Sequence, residues 1–202
     1  MDALIDELGA GGGFVAPVLA DLELDEDVGS AAAQILEGGD RIDVLVHSAG
    51  AIWLGAPESA AAGELDRLYR VNVRAPLQLT EALLPALRKA RGQVVFVTSS
   101  AANRPSVANA MYAATKRDLR AVADSLRDEV NPDGVRVLSV YAGRTATPMQ
   151  EAVHEHEHRT YTPQLLMRPE DVTHVVLAAL TLPPSAEITD VSLRPMAKLP
   201  SA

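Results

Sequence analysis

Strand-like and helix-like segments alternate along this chain, and the alternation constrains its fold more than any other feature. Four short apolar runs have the length and β-branched content of buried strands: Ile42–His47, Val94–Thr98, Val135–Tyr141 and Ile188–Leu193. Helical patterns precede and separate them, at Asp25–Leu36, 64–90, Asn109–Val130 and from Arg168 to about Leu180. This order predicts an α/β fold in which helices cover both faces of a doubly wound, mainly parallel sheet.

The prolines and the N-terminal residues complete this assignment. Pro76 and Pro85 are expected to kink or divide the helical region 64–90, because proline lacks a backbone donor. Residues 2–8 are predicted to end a helix that stops at Gly9–Gly13, and Phe14–Leu19 is predicted to form a short strand. With 202 residues and neither a linker nor a repeat, residues 1–202 are predicted to form a single domain.

The charge balance restricts the partners of this chain. The net charge is −9 and the sequence has no run of lysine and arginine, which argues against nucleic acid or an anionic membrane as a partner. The chain has no cysteine, so it forms neither a disulfide nor a thiolate metal site. The first residues are acidic and no apolar stretch reaches the length of a membrane span, so we expect a cytoplasmic protein.

Tyr112 and Lys116 are the strongest candidates for chemistry. At positions i and i+4 they share one face of a helix, where the ammonium favours the phenolate and makes the tyrosine a usable acid or base. Ser99 precedes Tyr112 by thirteen residues, and Asn72 precedes Ser99 by twenty-seven. Each candidate has an alternative. Tyr112 and Lys116 are then an exposed pair on a helix surface, Ser99 is a turn residue whose role Ser100 takes, and Asn72 is an ordinary polar residue of a helix. The joint spacing favours a proton-transfer site.

At these residues the chain resembles the short-chain dehydrogenase/reductase family, whose Asn-Ser-Tyr-Lys tetrad corresponds to Asn72, Ser99, Tyr112 and Lys116. The segment 43–50, DVLVHSAG, resembles the family's strand that ends in Asn-Asn-Ala-Gly. The segment 135–143, VRVLSVYAG, resembles its strand that ends in Pro-Gly, and Thr147 follows as the downstream threonine. The similarity extends from about Asp21 to the C-terminus.

Three residues depart from the family's pattern. His47 and Ser48 stand where the family has two asparagines, and Ala142 stands where it has a proline. Ser48 can still donate and accept a hydrogen bond, and Ala142 keeps the backbone available without the fixed φ of proline. We expect these differences to tune the site rather than to change its class.

The resemblance implies a Rossmann-like fold and hydride transfer between NAD(P)(H) and a small-molecule carbonyl or alcohol. It makes Tyr112 the general acid or base, and Ser99 the partner of the substrate oxygen. Lys116 would lower the pKa of Tyr112 and hold the nicotinamide ribose, and Asn72 would organise a water in the proton relay. Cofactor contacts are implied at Asp21, Ser48, Ala49, Gly50, Tyr112, Lys116, Gly143, Thr145 and Thr147. The substrate and the choice of NAD or NADP stay open, and a homo-oligomer is compatible with the resemblance.

The N-terminal part differs from the family. By resemblance Phe14–Asp21 is the family's third strand, so the first β-α-β unit, whose glycine loop holds the pyrophosphate, is expected to be missing. Gly9–Gly13 does not replace that loop, because it follows a helix and precedes a strand. The fold is therefore expected to be N-terminally truncated, with little cofactor binding by this chain.

Three explanations of this difference are open. The missing unit is encoded upstream, or the Phe14–Leu19 strand moves to pair with Ile42–His47, or the chain is a fragment that folds poorly or only as an oligomer. The alternative to an active oxidoreductase is a non-catalytic remnant of the family that acts through protein contacts.

The run His154-Glu155-His156-Glu157-His158 contains residue types that bind metals. It lies within residues 148–167, which resemble the family's mobile substrate loop. Alternating histidines in a loop have no defined ligand geometry, so we predict a substrate loop and no metal site there.

Overall fold

The computed structural model describes residues 14–55, 57–61, 63–104 and 109–197. The predicted helix at residues 2–8 and its stop at Gly9–Gly13 lie outside these ranges. Four strands form one parallel sheet in the order β1-β2-β3-β4. Their bounds are β1 Val44–His47, β2 Gln93–Ser99, β3 Arg136–Ala142 and β4 Asp190–Leu193. The predicted parallel sheet, with residues 188–193 at its far edge, is confirmed.

Six α-helices accompany the sheet in the described part of the chain. They are α1 Asp25–Glu37, α2 Glu64–Tyr69, α3 Ala75–Ala90, α4 Ala110–Val130, α5 Pro148–His156 and α6 Pro169–Leu180. Side chains of α1, α3 and α4 pack on one face of the sheet, against Val94 and Phe96. Val176 and Ala179 of α6 pack on the other face, against Val95 and Leu138. Because neighbouring residues of a strand point to opposite faces, this confirms the doubly wound α/β architecture.

The helical region 64–90 is divided, as the prolines predicted, but the break precedes the first proline. Residues Arg70–Arg74 form a π-helical turn between α2 and α3, and Asn72 lies within it. Pro76 has no N–H with which to bond the carbonyl of Asn72, four residues earlier, so the regular α-helical ladder cannot continue there. Pro85 lies inside α3 without ending it.

Two predictions of local structure are wrong. Phe14–Leu19 forms no strand, and among the described residues β2 is the only strand that pairs with β1. The Phe14 side chain is 95% exposed, so it does not pack against the sheet. Residues 148–167 are not a plain loop, because they contain α5, which starts at Pro148 and has Thr147 as its N-cap.

Candidate active site

The carboxyl ends of β1, β2 and β3 meet at one edge of the sheet, as the ends of parallel strands must. The segments that follow these strands border a cavity of about 670 Å³, together with one face of α4. Nine of the predicted site residues line this cavity: Ser48, Ala49, Gly50, Ser99, Tyr112, Lys116, Gly143, Thr145 and Thr147. Asp21 and Asn72 do not line it.

Tyr112 is buried at the start of α4, and its side chain lines the cavity together with that of Ser99 at the end of β2. Burial raises the pKa of Tyr112, and the Ser99 side chain opposes this shift only in part. The Nζ atom of Lys116 lies 5.7 Å from the centroid of the Tyr112 ring. The predicted proximity of the three side chains is thus present, but the pKa of Tyr112 moves upward rather than downward.

Lys116 is itself buried, and burial lowers its pKa from 10.5 to about 8. Its ammonium lies beside Gly50. A Cβ atom at residue 50 would approach both Lys116 Nζ and Asn72 Oδ1 to 3.3 Å, closer than most side-chain contacts. A glycine at this position therefore leaves room for the lysine head group against the chain that follows β1.

Asn72 is completely buried in the π-helical turn, and its amide uses both its donor and its acceptor groups. Its Oδ1 accepts from Ala51 N at 2.8 Å, while Nδ2 donates to Ala51 O at 2.9 Å and to Thr115 Oγ1 at 3.0 Å. Thr115 Oγ1 in turn donates to the carbonyl of Tyr112 at 2.9 Å. Asn72 thus connects the segment after β1 to the helix that carries Tyr112 and Lys116.

The segment after β3 is ordered by its own hydroxyl groups. Thr145 Oγ1 donates to Gly143 O at 3.1 Å, and Thr147 Oγ1 donates to Thr145 O at 3.3 Å. Thr147 Oγ1 also accepts from Gln150 N at 3.2 Å, which caps α5. Gly143 passes β4 so closely that a Cβ would lie 2.9 Å from Leu193 O. The hydroxyls that face the cavity are therefore held in place by neighbouring backbone.

Asp21 lies apart from the cavity, in an exposed turn before α1. Its Oδ1 accepts from Glu23 N at 2.9 Å, and its own N–H donates to Asp27 Oδ2 at 3.0 Å. The carboxylate stabilises the turn that precedes α1. Its contact with a cofactor stays a prediction.

The α6 part of the cavity wall was missed by the sequence reasoning, whereas the α5 part lies within residues 148–167, which were predicted to form the substrate loop. Residues from α5 and α6 complete the wall, among them Met149, Gln150, Val153, Pro169, Val172, Thr173, Val176 and Leu177. The signal that could have found α5 is the Thr147-Pro148 pair, an N-cap followed by a first-turn proline. Lys116 is the only charged side chain in the described lining, which is otherwise apolar or hydroxyl-bearing apart from the amide of Gln150.

His47 ends β1 directly before the cavity-lining Ser48, and it is buried on the α3 side of the sheet. Its ring stacks on Phe96 with centroids 4.9 Å apart. The Nε2 atom lies 2.7 Å from Thr80 Oγ1, whose hydroxyl donates to Pro76 O at 2.8 Å. Since that hydroxyl hydrogen is used, Nε2–H is the donor to Thr80. Burial lowers the pKa of His47 from 6.5 to about 4, so the ring is neutral near pH 7.

The histidine run also differs from its prediction, because His154 and His156 belong to α5 rather than to a loop. His154 is buried and His156 is exposed. The described residues contain no group of three or more acidic, histidine or cysteine side chains placed to hold a metal ion. None of their helices has both the length and the apolar character needed to cross a membrane.

Comparisons with known proteins identify the family of this chain. The model of the short chain dehydrogenase family matches residues 1–158. Sepiapterin reductase of Chlorobaculum tepidum is 28% identical over 190 residues, which cover 94% of this chain and 76% of that protein. A metagenomic short-chain oxidoreductase solved in complex with NADP superposes with a TM-score of 0.81 at 28% identity, covering 98% of this chain and 81% of the other.

A further solved structure shows the same fold. The alcohol dehydrogenase of the archaeon Thermococcus sibiricus, complexed with 5-hydroxy-NADP, has a TM-score of 0.85 at 23% identity and covers 100% of this chain and 83% of that one. From the family match, this chain belongs to the short-chain dehydrogenases, and it is an oxidoreductase of the NAD(P)-dependent type.

Proposed function

We propose that the reaction of this short-chain dehydrogenase takes place at the mouth of the cavity, where Tyr112 exchanges a proton with the oxygen of a small carbonyl or alcohol. The observation that carries the proposal is that the side chains of Tyr112 and Ser99 line one cavity, whose only charged described side chain is Lys116. Two hydroxyls converge there on space that one substrate oxygen can occupy.

In carbonyl reduction Tyr112 is the general acid. Its raised pKa keeps the phenol protonated near neutral pH, as a proton donor requires. Ser99 donates a hydrogen bond to the substrate oxygen, where negative charge accumulates in the transition state. In alcohol oxidation the proton moves the other way and Tyr112 is the base. The neighbouring ammonium of Lys116 then favours the phenolate, and Asn72 holds the helix that carries both residues against the segment after β1.

The lining suits the nicotinamide half of NAD(P), which supplies or accepts the hydride when bound. Ser48, Ala49 and Gly50 present backbone groups, and the small Gly50 leaves space next to the Lys116 ammonium. Gly143, Thr145 and Thr147 border the same space. We propose these residues as cofactor contacts, with Asp21 as a contact farther from the reacting atoms. Either NAD or NADP is compatible with this set.

The test is Tyr112→Phe, with Tyr69→Phe as the matched control because Tyr69 is exposed on α2. NADPH- and NADH-dependent reduction is measured for the complete chain against a panel of uncharged aldehydes and ketones. Loss of the phenolic hydroxyl should lower kcat by about 10²–10⁴-fold while the circular dichroism spectrum stays unchanged. A rate within about threefold of wild type would show that Tyr112 is not the proton donor.

Cofactor binding separates this proposal from its alternative. A cofactor that binds only the folded chain raises the free energy of unfolding by about 2.7 kcal/mol at a hundredfold excess over its dissociation constant. Saturable stabilisation by NADPH or NADH supports the oxidoreductase. No stabilisation by either supports a non-catalytic member of the family that acts through protein contacts.

The localisation, partners and assembly of the chain are proposed from its composition and length. The net charge of −9 and the lack of a basic run support a cytoplasmic protein that does not bind nucleic acid. We also propose that residues 1–202 form one domain and that copies of the chain associate, which size-exclusion chromatography with light scattering tests directly.

A further inference from the structure

Arg144, His154 and Glu157 form a polar cluster next to the cavity, which we name the α5 clasp; His154 is buried, while the side chains of Arg144 and Glu157 are 31% and 28% exposed. Each of these side chains has one buried atom without a hydrogen-bond partner, namely Arg144 Nη1, His154 Nε2 and Glu157 Oε2. Buried polar atoms are usually paired, so three such atoms in one cluster call for an explanation. None of them is used by the proton transfer at Tyr112.

The clasp is held together by one strong pair and one local contact. Arg144 Nη2 donates to Glu157 Oε1 at 2.6 Å, and His154 Nδ1 donates to Gln150 O at 2.8 Å. Burial raises the pKa of Glu157, but the hydrogen bond and charge of Arg144, with smaller effects of Arg159 and His154, lower it more. The carboxylate is therefore ionised, and His154 is near enough to influence it.

The three atoms without a hydrogen bond are chemically complementary, and Glu157 Oε2 also lies 4.0 Å from Arg159 Nη1 in an ion pair. Arg144 Nη1 is a donor and Glu157 Oε2 an acceptor, and His154 Nε2 is an acceptor because its Nδ1 carries the hydrogen given to Gln150. The hydrogen bond between Arg144 and Glu157, together with the position of His154 three residues before Glu157, makes these side chains one connected group.

The clasp is located where it can control a wall of the cavity. Helix α5 contributes Met149, Gln150 and Val153 to the lining, yet His154 is its only buried side chain. A helix of nine residues is far too short to be stable by itself. Thr147 caps its first turn, and Arg144, which directly follows Gly143, holds its last turn through Glu157.

We propose that the α5 clasp positions α5 over the cavity, so that Arg144, His154 and Glu157 are positioning residues that fix the wall facing the substrate. The purpose of this role rests on the proposed function, because α5 is a wall of the proposed substrate cavity. The test of the role does not, because it measures no turnover. Breaking the clasp should release α5 locally while the sheet and α4 stay folded, since apolar packing holds those elements.

A thiol reporter tests the proposal without any turnover. The chain has no cysteine, so Val153→Cys introduces a single thiol in the wall of the cavity, and Ala123→Cys introduces one in the buried core of α4. The rate of reaction with 5,5′-dithiobis(2-nitrobenzoic acid) reports opening at each place. In the Val153→Cys background, His154→Phe should raise the rate at least tenfold. In the Ala123→Cys background the same substitution should change it less than twofold.

Three further variants separate a polar clasp from simple packing. His156→Phe is the matched control, because His156 is exposed on the same helix and should leave both rates unchanged. His154→Gln should react more slowly than His154→Phe, because glutamine keeps a polar group at this position. If His154 acted through packing alone, His154→Phe would be silent and His154→Gln would be disruptive. Glu157→Gln should raise the rate tenfold alone but add less than threefold to His154→Phe, because both break one unit.

Either of two results would overturn the proposal. One is a silent His154→Phe substitution, which would leave His154 as an ordinary core residue. The other is a hundredfold effect of the double substitution, which would show that His154 and Glu157 act independently. Loss of the Tyr112 mechanism would not alter these rates, so the two proposals fail separately.

Discussion

His47 should make this protein sensitive to mild acid, and its environment shows why. The ring lies between Phe96 and Thr80, and its Nε2–H already donates to the Thr80 hydroxyl. Protonation adds a hydrogen at Nδ1 and places a cation in the apolar interior formed by β1, β2 and α3. Burial is the cause that lowers the pKa of His47 from 6.5 to about 4.

The sign and the size of the effect follow from these two values. Between pH 6.5 and about 4, the unfolded chain binds a proton at His47 that the folded chain does not bind. The free energy of unfolding therefore falls as the pH falls through this window. The full loss, reached below the folded pKa, is about 3 kcal/mol, and about 2 kcal/mol of it occurs between pH 7 and pH 5. Stability above pH 7 is unaffected by this group.

His47→Gln is the informative substitution, because its Nε2 is as many bonds from the backbone as the Nε2 of histidine. It can keep the hydrogen bond to Thr80 but does not titrate. At pH 7 the variant should be less stable than wild type by about 1 kcal/mol, the value of the lost stacking on Phe96. At pH 5 it should be more stable than wild type by about 1 kcal/mol, so the order of stability reverses.

Urea unfolding followed by circular dichroism at half-unit pH intervals measures this reversal. Other ionisable groups contribute equally to both proteins and cancel in the difference. His174→Gln serves as the control, because His174 is exposed and its variant should follow wild type at every pH. If the difference between His47→Gln and wild type stays constant within about 0.5 kcal/mol from pH 7 to pH 5, burial does not suppress protonation of His47 and the reasoning fails.

Two further substitutions test the packing around the site. Gly92→Ala should lower the free energy of unfolding by about 1–3 kcal/mol in urea, because its Cβ would lie 2.5 Å from Ile42 O and would push β1 away from β2. Asn72→Ala should cost about 1–3 kcal/mol for each buried group of Ala51 or Thr115 left unpaired, and thermal unfolding should show a lower midpoint. An unchanged midpoint would mean that solvent replaces the amide.

The parts of the site that the sequence predicted are those set by local geometry. Tyr112 and Lys116 are one helical turn apart, so any helix over residues 110–130 brings them to one face. Ser48, Ser99 and Gly143 each lie at or directly after the carboxyl end of a strand, so parallel pairing alone brings them to one edge of the sheet. Neither inference requires knowledge of side-chain packing.

The parts that the sequence could not predict depend on burial. The spacing of Tyr112 and Lys116 indicated a lowered tyrosine pKa, but both groups are enclosed, and desolvation disfavours the charged form of each. Burial also separates His154 from His156, two residues apart in an alternating run, by turning one inward and one outward. The run Phe14–Leu19 has the composition of a strand, but a strand forms only where another strand offers its backbone.

Pro76 links local geometry to burial, because a covalent property of this residue determines where another side chain is placed. Without an N–H at Pro76, the carbonyl of Asn72 loses its α-helical partner, and the chain passes through a π-helical turn at Arg70–Arg74. That turn holds one more residue than an α-helical turn, so the side chains before and after it do not share one continuous stripe. The apolar face of α3 can therefore pack on the sheet while Asn72 turns toward Ala51 and Thr115. Pro76 thus interrupts the helix and, by doing so, allows the buried amide of Asn72 to connect the backbone after β1 to the helix that carries Tyr112.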